Sequence, residues 1–347
     1  MSPQITPSDL NRSVEDSTLE RAAGMLAGVA IGDALGMPSE FLTPDLIKEW
    51  YGRITQLTIA NASHPHHNLP VGAVTDDTDH TMLLAQMLID HESIDPLEFA
   101  RRLLEWGQSA RVQANRFVGP STLKTLAALG EGKPLSEVPR GGTSVGAAMR
   151  VAPLAIVFSD RDKLAEQVVA SCAVSHYTRN AISGAMAMAF ALVATLEPGA
   201  DIHSISAAAK DGAVIGRNYG DWSWAPPIEK RIDYVLDWIH TLPQETVLLR
   251  LYELIGVDMY AEQLLPCAIG LAGLADGDPQ RAMLWAANLG GDSDTLASMT
   301  GALCGGWRGL QAINREWLAQ VETTNSLDIA GTAHRLIVIR QKRQERE

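Results

Sequence analysis

Two runs of the 347-residue chain concentrate oxygen donors directly after glycine: Gly72 to Thr78 (GAVTDDT) and Gly290 to Thr295 (GGDSDT). Each leads into an apolar stretch of helical periodicity. A carboxylate at a helix start is ordinarily a cap that satisfies free N–H groups and complements the dipole. A cap needs one acceptor, however, and each run supplies several. Asp76 beside Asp77, and Asp292 near Asp294, repel one another and hold their protons unless a cation neutralises them. Four carboxylates with two or three hydroxyls form an all-oxygen donor set. That set suits a hard divalent ion, Mg²⁺ or Mn²⁺, rather than zinc or copper. The reading is a site for two such ions, with a pair of ordinary helix caps as the alternative.

Other residues carry weaker signals. In Ile31 to Phe41 (IGDALGMPSEF) a helix is expected to end near Gly36, with Pro38 forcing an extended exit. Glu40 in that segment reads by residue type as a solvated glutamate. His64, His66 and His67 lie in a Pro-containing polar loop, read as solvated, with a place on a cleft rim as the alternative. His80 follows the first acidic run and is expected behind its side chains. Arg150 stands in an apolar segment and implies a buried ion pair or a ligand contact. His176 with Arg179 either contacts phosphate or ribose or caps a helix. Gly141 and Gly142, followed by Thr143 and Ser144, offer backbone amides to a phosphate or simply form a turn. Trp222 and Trp224 either stack on a base or anchor their loop.

The elements that position these groups read as helices nearly throughout. Apolar residues recur at helical spacing over Leu19–Leu35, Thr81–Ile89, Pro96–Trp106, Ser121–Leu129, Ala147–Phe158, Lys163–Cys172 and Arg179–Leu196. The pattern continues over Ile202–Ile215, Ile228–Ile239, Glu245–Ile255, Ala261–Leu274, Pro279–Ala287, Thr295–Cys304 and Trp317–Arg343. Only Arg53–Ile59 alternates as a strand would. The fold class is therefore all-α, a compact multi-helix bundle. Glycines inside apolar segments, such as Gly24 and Gly28, cost helix propensity and suit close helix crossings. No linker or repeat divides the chain, so residues 18–347 are expected as a single domain behind a flexible leader, 1–17. The C-terminal run from Arg340 to Glu347 reads as a solvated face.

Composition narrows the class of function. Hydrophobic residues make up 46% and charged residues 20%, a globular balance. Twenty-eight Lys and Arg against 41 Asp and Glu leave a net charge of −13, which disfavours nucleic acid and anionic membranes as partners. Cys172, Cys267 and Cys304 have no metal-binding spacing and read as buried, reduced thiols. With no secretion-signal pattern at the N-terminus, a cytoplasmic location is expected. The apolar Ala181–Leu196 stretch reads as a buried helix rather than a membrane span.

Taken together, GDALGMPSEF, TDDT, AAMRVAPL, SHYTRNAISGA and GGDSDT, in this order between about Leu19 and Gly309, resemble the ADP-ribosylglycohydrolase family. The resemblance implies a compact all-α fold with two Mg²⁺ or Mn²⁺ ions at the base of a cleft. It implies Thr75, Asp76, Asp77, Asp292, Asp294 and Thr295 as metal ligands, and Glu40 beside the scissile glycosidic bond. Gly146, Ala147 and Met149 match the segment lining the ribose and phosphate site, and His176 a histidine near the ribose. Two departures stand out. Val145-Gly146 replaces a common Asn-Gly pair, which removes an amide from the substrate wall. The Trp222/Trp224 loop has no counterpart in the pattern.

The expected function is a metal-dependent glycohydrolase that cleaves a ribosyl link to nitrogen or oxygen, with Glu40, Asp76 and Asp292 as catalytic groups. An ADP-ribosylated protein or small ADP-ribosyl compound is the default substrate. A nucleosidase-like hydrolase of a small ribosyl metabolite is the alternative, motivated by Val145 and the tryptophans. A non-catalytic ADP-ribose-binding protein would have lost the carboxylates, and all four are present together with Glu40.

Overall fold

The computed structural model describes residues 7–109, 112 and 118–346, and its architecture is helical. Among these residues there are sixteen α-helices and no strand; extended segments meet only at three isolated bridges. One large apolar core runs through the helices, and a small second cluster of Met37, Ala60, Leu69, Ala73 and Val112 sits apart from it. The all-α expectation holds. The first helix spans Pro7–Gly36, so the segment expected as a leader is helical from Pro7 onward, while residues 1–6 lie outside the described part.

The first helix and the Ser293–Arg308 helix run antiparallel with their backbones in contact. Gly24, Gly28, Gly32 and Gly36 recur every fourth residue and so lie along one helix face. They meet Gly305, Gly301, Ala297 and Ser293 in turn, another four-residue stripe of small side chains. A Cβ on Gly28 would lie 1.9 Å from the carbonyl oxygen of Gly301, so only glycine permits this approach. The antiparallel sense sets the C-terminus of one helix beside the N-terminus of the other. Asp33 and Glu40 are thereby carried to Asp292 and Asp294.

Several expected boundaries move, each for a local reason. Helix Asp76–His91 begins five residues before its apolar pattern does. Ala147–Phe158 is not one helix: a 3-10 turn, Val145–Ala147, precedes helix Ala152–Val157. Pro153 stands in the first turn of the latter, where its missing N–H costs nothing; inside a longer helix it would break the ladder. Trp317–Arg343 splits into Arg315–Asn325 and Ile329–Gln344, broken where Ser326 adopts left-handed backbone and Asp328 caps the second helix. Pro38 does not force an extended exit but occupies the short turn Met37–Ser39. Helix Pro44–Tyr51, capped by Thr43, was not expected.

Arg53–Ile59 forms no strand. The Asn288 side chain pairs with both the N–H and the carbonyl of Ile54, replacing the partner a ladder would need. Arg340 is buried and donates to Ile156 O, although the end of its helix is exposed as expected. Two helical stretches, Ser17–Ser39 and Arg179–Leu196, are long and apolar enough to cross a bilayer, and both are packed inside the fold. The three cysteines are free and buried.

The helix contact gives a direct test. Gly28→Ala is expected to destabilise the protein by about 2–3 kcal/mol, because backbone faces backbone and neither can yield. Gly130→Ala, at a position with open space around its Cβ, should be neutral or slightly stabilising. Thermal unfolding that finds the two variants equally stable would remove the close crossing.

Candidate active site

Asp33, in the last turn of the first helix, is the hub from which the site is built. It is buried and accepts from Thr75 N (3.0 Å), Thr75 Oγ1 (2.9 Å), Thr78 N (3.1 Å) and Thr78 Oγ1 (2.6 Å). One side chain thus pins the first acidic turn to the first helix. Asp33 falls within GDALGMPSEF, but neither its type nor its spacing assigns it a role. The available signal was an acid in a segment otherwise built of small and apolar residues.

The two acidic runs converge. Thr75 Oγ1 lies 3.4 Å from Asp294 Oδ2, and Thr295 Oγ1 donates to Asp77 Oδ2 at 3.2 Å, bridging more than 200 residues of chain. Carboxylate oxygens of Glu40, Asp292 and Asp294 lie within 4.8 Å of one another. Neither Thr75 nor Asp292, the N-cap residues, caps its helix with its side chain, while Asp294 Oδ1 accepts from Thr295 N at 2.9 Å in the first turn of its own helix. Asp77 Oδ1 is buried without a hydrogen-bond partner. No lysine or arginine among the described residues forms an ion pair with Asp33, Asp76, Asp77, Asp292 or Asp294.

The electrostatic consequence is uniform. Burial, followed by repulsion from Asp294, raises Asp33 to about 7, and burial raises Asp292 to about 6. Asp76, Asp77, Asp294 and Glu40 are pushed well up, with burial as the first cause of each and neighbouring carboxylates adding to it. A donor set of this kind, all oxygen and without a cationic partner among the described residues, fits a hard divalent cation.

Glu40 is not the solvated glutamate its type suggests. Its side chain is 12% exposed, on a β-turn closed by Leu42 N donating to Ser39 O. Phe41 takes the left-handed conformation there, a place that favours glycine. Reciprocal backbone bonds to Gly291 hold the strained turn: Phe41 N to Gly291 O, and Gly291 N to Leu42 O. The histidine loop is solvated at His67 but not at its other two histidines. His64 and His66 are buried, and His66 Nε2 lies 2.7 Å from Glu40 Oε2. Burial pushes His66 down to about 4, so its ring is neutral near pH 7.

The cleft is lined by Glu40, Asp76, Asp77, Asp292, Asp294 and Thr295 on its floor and by Ser144, Val145, Gly146 and Met149 on one wall. Phe41, His66, Val118, Pro120 and Met259 also face it, and of these the sequence reading offered only His66, as a rim alternative. Thr75 sits behind the floor, between Asp33 and Asp294. Ala147 is buried outside the lining. His176 lies behind the wall, with Nε2 on Ser144 Oγ (2.8 Å) and Nδ1 on Ser175 Oγ (2.7 Å). A Cβ on Gly146 would meet the His176 ring at 2.9 Å.

Arg150 makes neither an ion pair nor a contact with the cleft. It is buried, donates to Ser171 O and Ser175 Oγ, and covers the Phe99 ring. His80 packs edge-on against Trp106 and has no hydrogen bond to the carboxylates. Trp222 and Trp224 are 72% and 83% exposed and do not line the cleft.

These carboxylates make stability depend on pH in an unusual sense. Their folded-state values exceed the unfolded value near 3.8, so the folded protein binds extra protons between about pH 4 and 7. Without a divalent ion, their contribution is fully present below pH 4 and is lost as pH rises through 6 to 7. An ion that displaces those protons reverses the trend. The rise in Tm on adding Mn²⁺ is therefore expected to grow from pH 5 to pH 8. It should correspond to about 2.7 kcal/mol at a hundredfold excess over Kd. Scanning calorimetry with chelator or Mn²⁺ measures it, and an increment that shrinks with pH would count against cation binding by this cluster.

The sequence profile described as ADP-ribosylglycohydrolase matches residues 14–346. The uncharacterized protein YegU of Escherichia coli K12 is 31% identical, over 94% of this chain and 98% of its own. The ADP-ribosyl-(dinitrogen reductase) glycohydrolase of Rhodospirillum rubrum is 24% identical, over 88% and 92%. Human ADP-ribosylhydrolase ARH3 is 23% identical, over 92% and 94%. A solved structure titled ADP-ribosylglycohydrolase-related protein complex superposes with a TM-score of 0.69 at 25% identity, covering 94% of this chain and 99% of that one.

Proposed function

The chain belongs to the ADP-ribosylglycohydrolase family, and from that premise we propose that it is a divalent-metal-dependent hydrolase releasing ADP-ribose from a modified protein or a small ADP-ribosyl compound. The observation that carries this reading is the convergence of the two acidic runs on Glu40, with no lysine or arginine among the described residues paired to them. Asp76, Asp77, Asp292 and Asp294, with Thr75 and Thr295, would hold two Mg²⁺ or Mn²⁺ ions. The orphaned Asp77 Oδ1 fits such a ligand. When bound, the metal pair supplies the missing positive charge, a grip on vicinal ribose hydroxyls and a more acidic water.

The chain's own residues do the rest. Hydrolysis breaks the bond between the anomeric carbon and nitrogen or oxygen and joins that carbon to the oxygen of water. One proton of the water must leave, and the departing atom must gain one. Glu40, raised by burial and held over the carboxylate floor, is the group that exchanges this proton. Positive charge developing on the ribose is met by the surrounding carboxylates. Gly146 and Met149 form the wall beside the sugar, and His176 acts from behind by fixing Ser144. Trp222 and Trp224 would meet only a part of the substrate projecting from the cleft.

One observation favours the second reading, a nucleosidase-like hydrolase. The described lining contains no lysine or arginine, and Val145 presents no amide to a pyrophosphate. The two readings separate by product. With Mg²⁺ or Mn²⁺, the protein is expected to release ADP-ribose from ADP-ribosyl-arginine or ADP-ribosyl-serine peptides, and not free base from nucleosides. Asp76→Asn with Asp292→Asn should lower the rate by roughly 100-fold or more. Unchanged turnover in that double variant would remove the site assignment.

A further inference from the structure

The His64–His67 run lies outside the motifs that carry the family resemblance, yet the structure turns it onto Glu40. His64 Nε2 lies 2.8 Å from the backbone oxygen of Glu40, which can only accept, so that nitrogen carries the proton. His64 Nδ1 must then be the acceptor for the His66 N–H, at 3.1 Å. The two bonds admit a single neutral tautomer and lock the loop to the turn. From the position so fixed, His66 Nε2 meets Glu40 Oε2 at 2.7 Å, the only side-chain hydrogen bond of Glu40 among the described residues. The Tyr51 hydroxyl reinforces the junction by donating to Pro38 O and accepting from Asn61 N. Glu40 is therefore held at two points, main chain by His64 and carboxyl by His66, on a turn already strained at Phe41.

We propose that His64 and His66 form a clamp that aims the Glu40 carboxyl at the scissile bond, His66 being a positioning residue that acts only through Glu40. This rests on the role assigned to Glu40 above. A flexible glutamate on a short turn would otherwise sample several rotamers, and misplacement of a reacting group by about 1 Å can cost on the order of 100-fold in rate. The clamp bonds Glu40 and none of the residues proposed to hold the cations, so substrate and cation binding are expected to survive its loss.

His66→Ala is expected to lower kcat about 10- to 100-fold with KM within about twofold. His66→Gln, which keeps a side-chain N–H donor, should recover part of the loss. In a Glu40→Gln background, His66→Ala should add nothing further, because the group it positions is gone. Equal losses from His66→Ala in both backgrounds, or no loss in either, would overturn the clamp. A readout independent of turnover accompanies these. In protein carrying ¹⁵N-labelled histidine, the His66 ring-nitrogen resonances should shift in Glu40→Gln, while those of His64 keep the Nε2–H tautomer. Ring signals of His66 indifferent to Glu40 overturn the clamp whatever the activity. Intact coupling in a protein that cleaves no ADP-ribosyl substrate would instead sink the functional reading and leave the clamp standing.

Discussion

The active cleft depends on two helices that touch backbone to backbone. Along Gly24, Gly28, Gly32 and Gly36 the first helix presents no side chains, and the Ser293–Arg308 helix answers with a stripe of glycine, alanine and serine. Glycine costs each helix propensity, roughly 1 kcal/mol per residue relative to alanine. The return is proximity. Segments more than 250 residues apart are brought close enough for Ser39 Oγ and Ser293 Oγ to meet at 3.1 Å, while Ser293 Oγ donates to Gly36 O. A side chain anywhere on the stripe would wedge the site open from below.

On this base the fold assembles a concentration of acidic groups that no lysine or arginine among the described residues pairs with. Asp33 is satisfied by four donors from one turn and behaves as a scaffold, its acceptor capacity spent on the Thr75–Thr78 backbone and hydroxyls. The carboxylates around it keep unfilled capacity and face the cleft. This division between a satisfied acid behind and starved acids in front is what a preorganised cation site needs. In the proposed reading the protein would hold these carboxylates in place before any ion arrives, at the cost of mutual repulsion.

The walls are tied to the floor by main-chain bonds. Segment 256–260 leaves a π-helical turn, Leu251–Ile255, at Gly256, whose N–H returns to Leu251 O. Its Val257 carbonyl accepts from Asp292 N, and its Met259 carbonyl accepts from Val145 N. One short strap thus links the acidic turn to the wall that would hold the sugar. His176 supports the same wall from within, and the residue before it, Ser175, accepts from Arg150. Arg150 therefore serves the site through packing and hydrogen bonding, two layers from the reacting groups.

Much of this protein was legible in its residues. Helical periodicity is a local property, so the helices of the core were readable; Arg179–Leu196 and Ala261–Leu274 begin and end where the pattern does. The two acidic runs TDDT and GGDSDT stood out as well, and the fold brings them side by side. Residue type misled where environment decides behaviour. Glu40 and His66 are polar and lie in loops, and nothing local reveals that a strained turn and a neighbouring loop bury them against each other. The strand at Arg53–Ile59 failed for the same reason, because a side chain 234 residues away took the backbone bonds that alternation alone assigned to a partner strand. Sequence determines which groups are available and the period on which they repeat. Only tertiary structure decides which of them are desolvated together, because desolvation and repulsion depend on distances through space that chain separation does not encode.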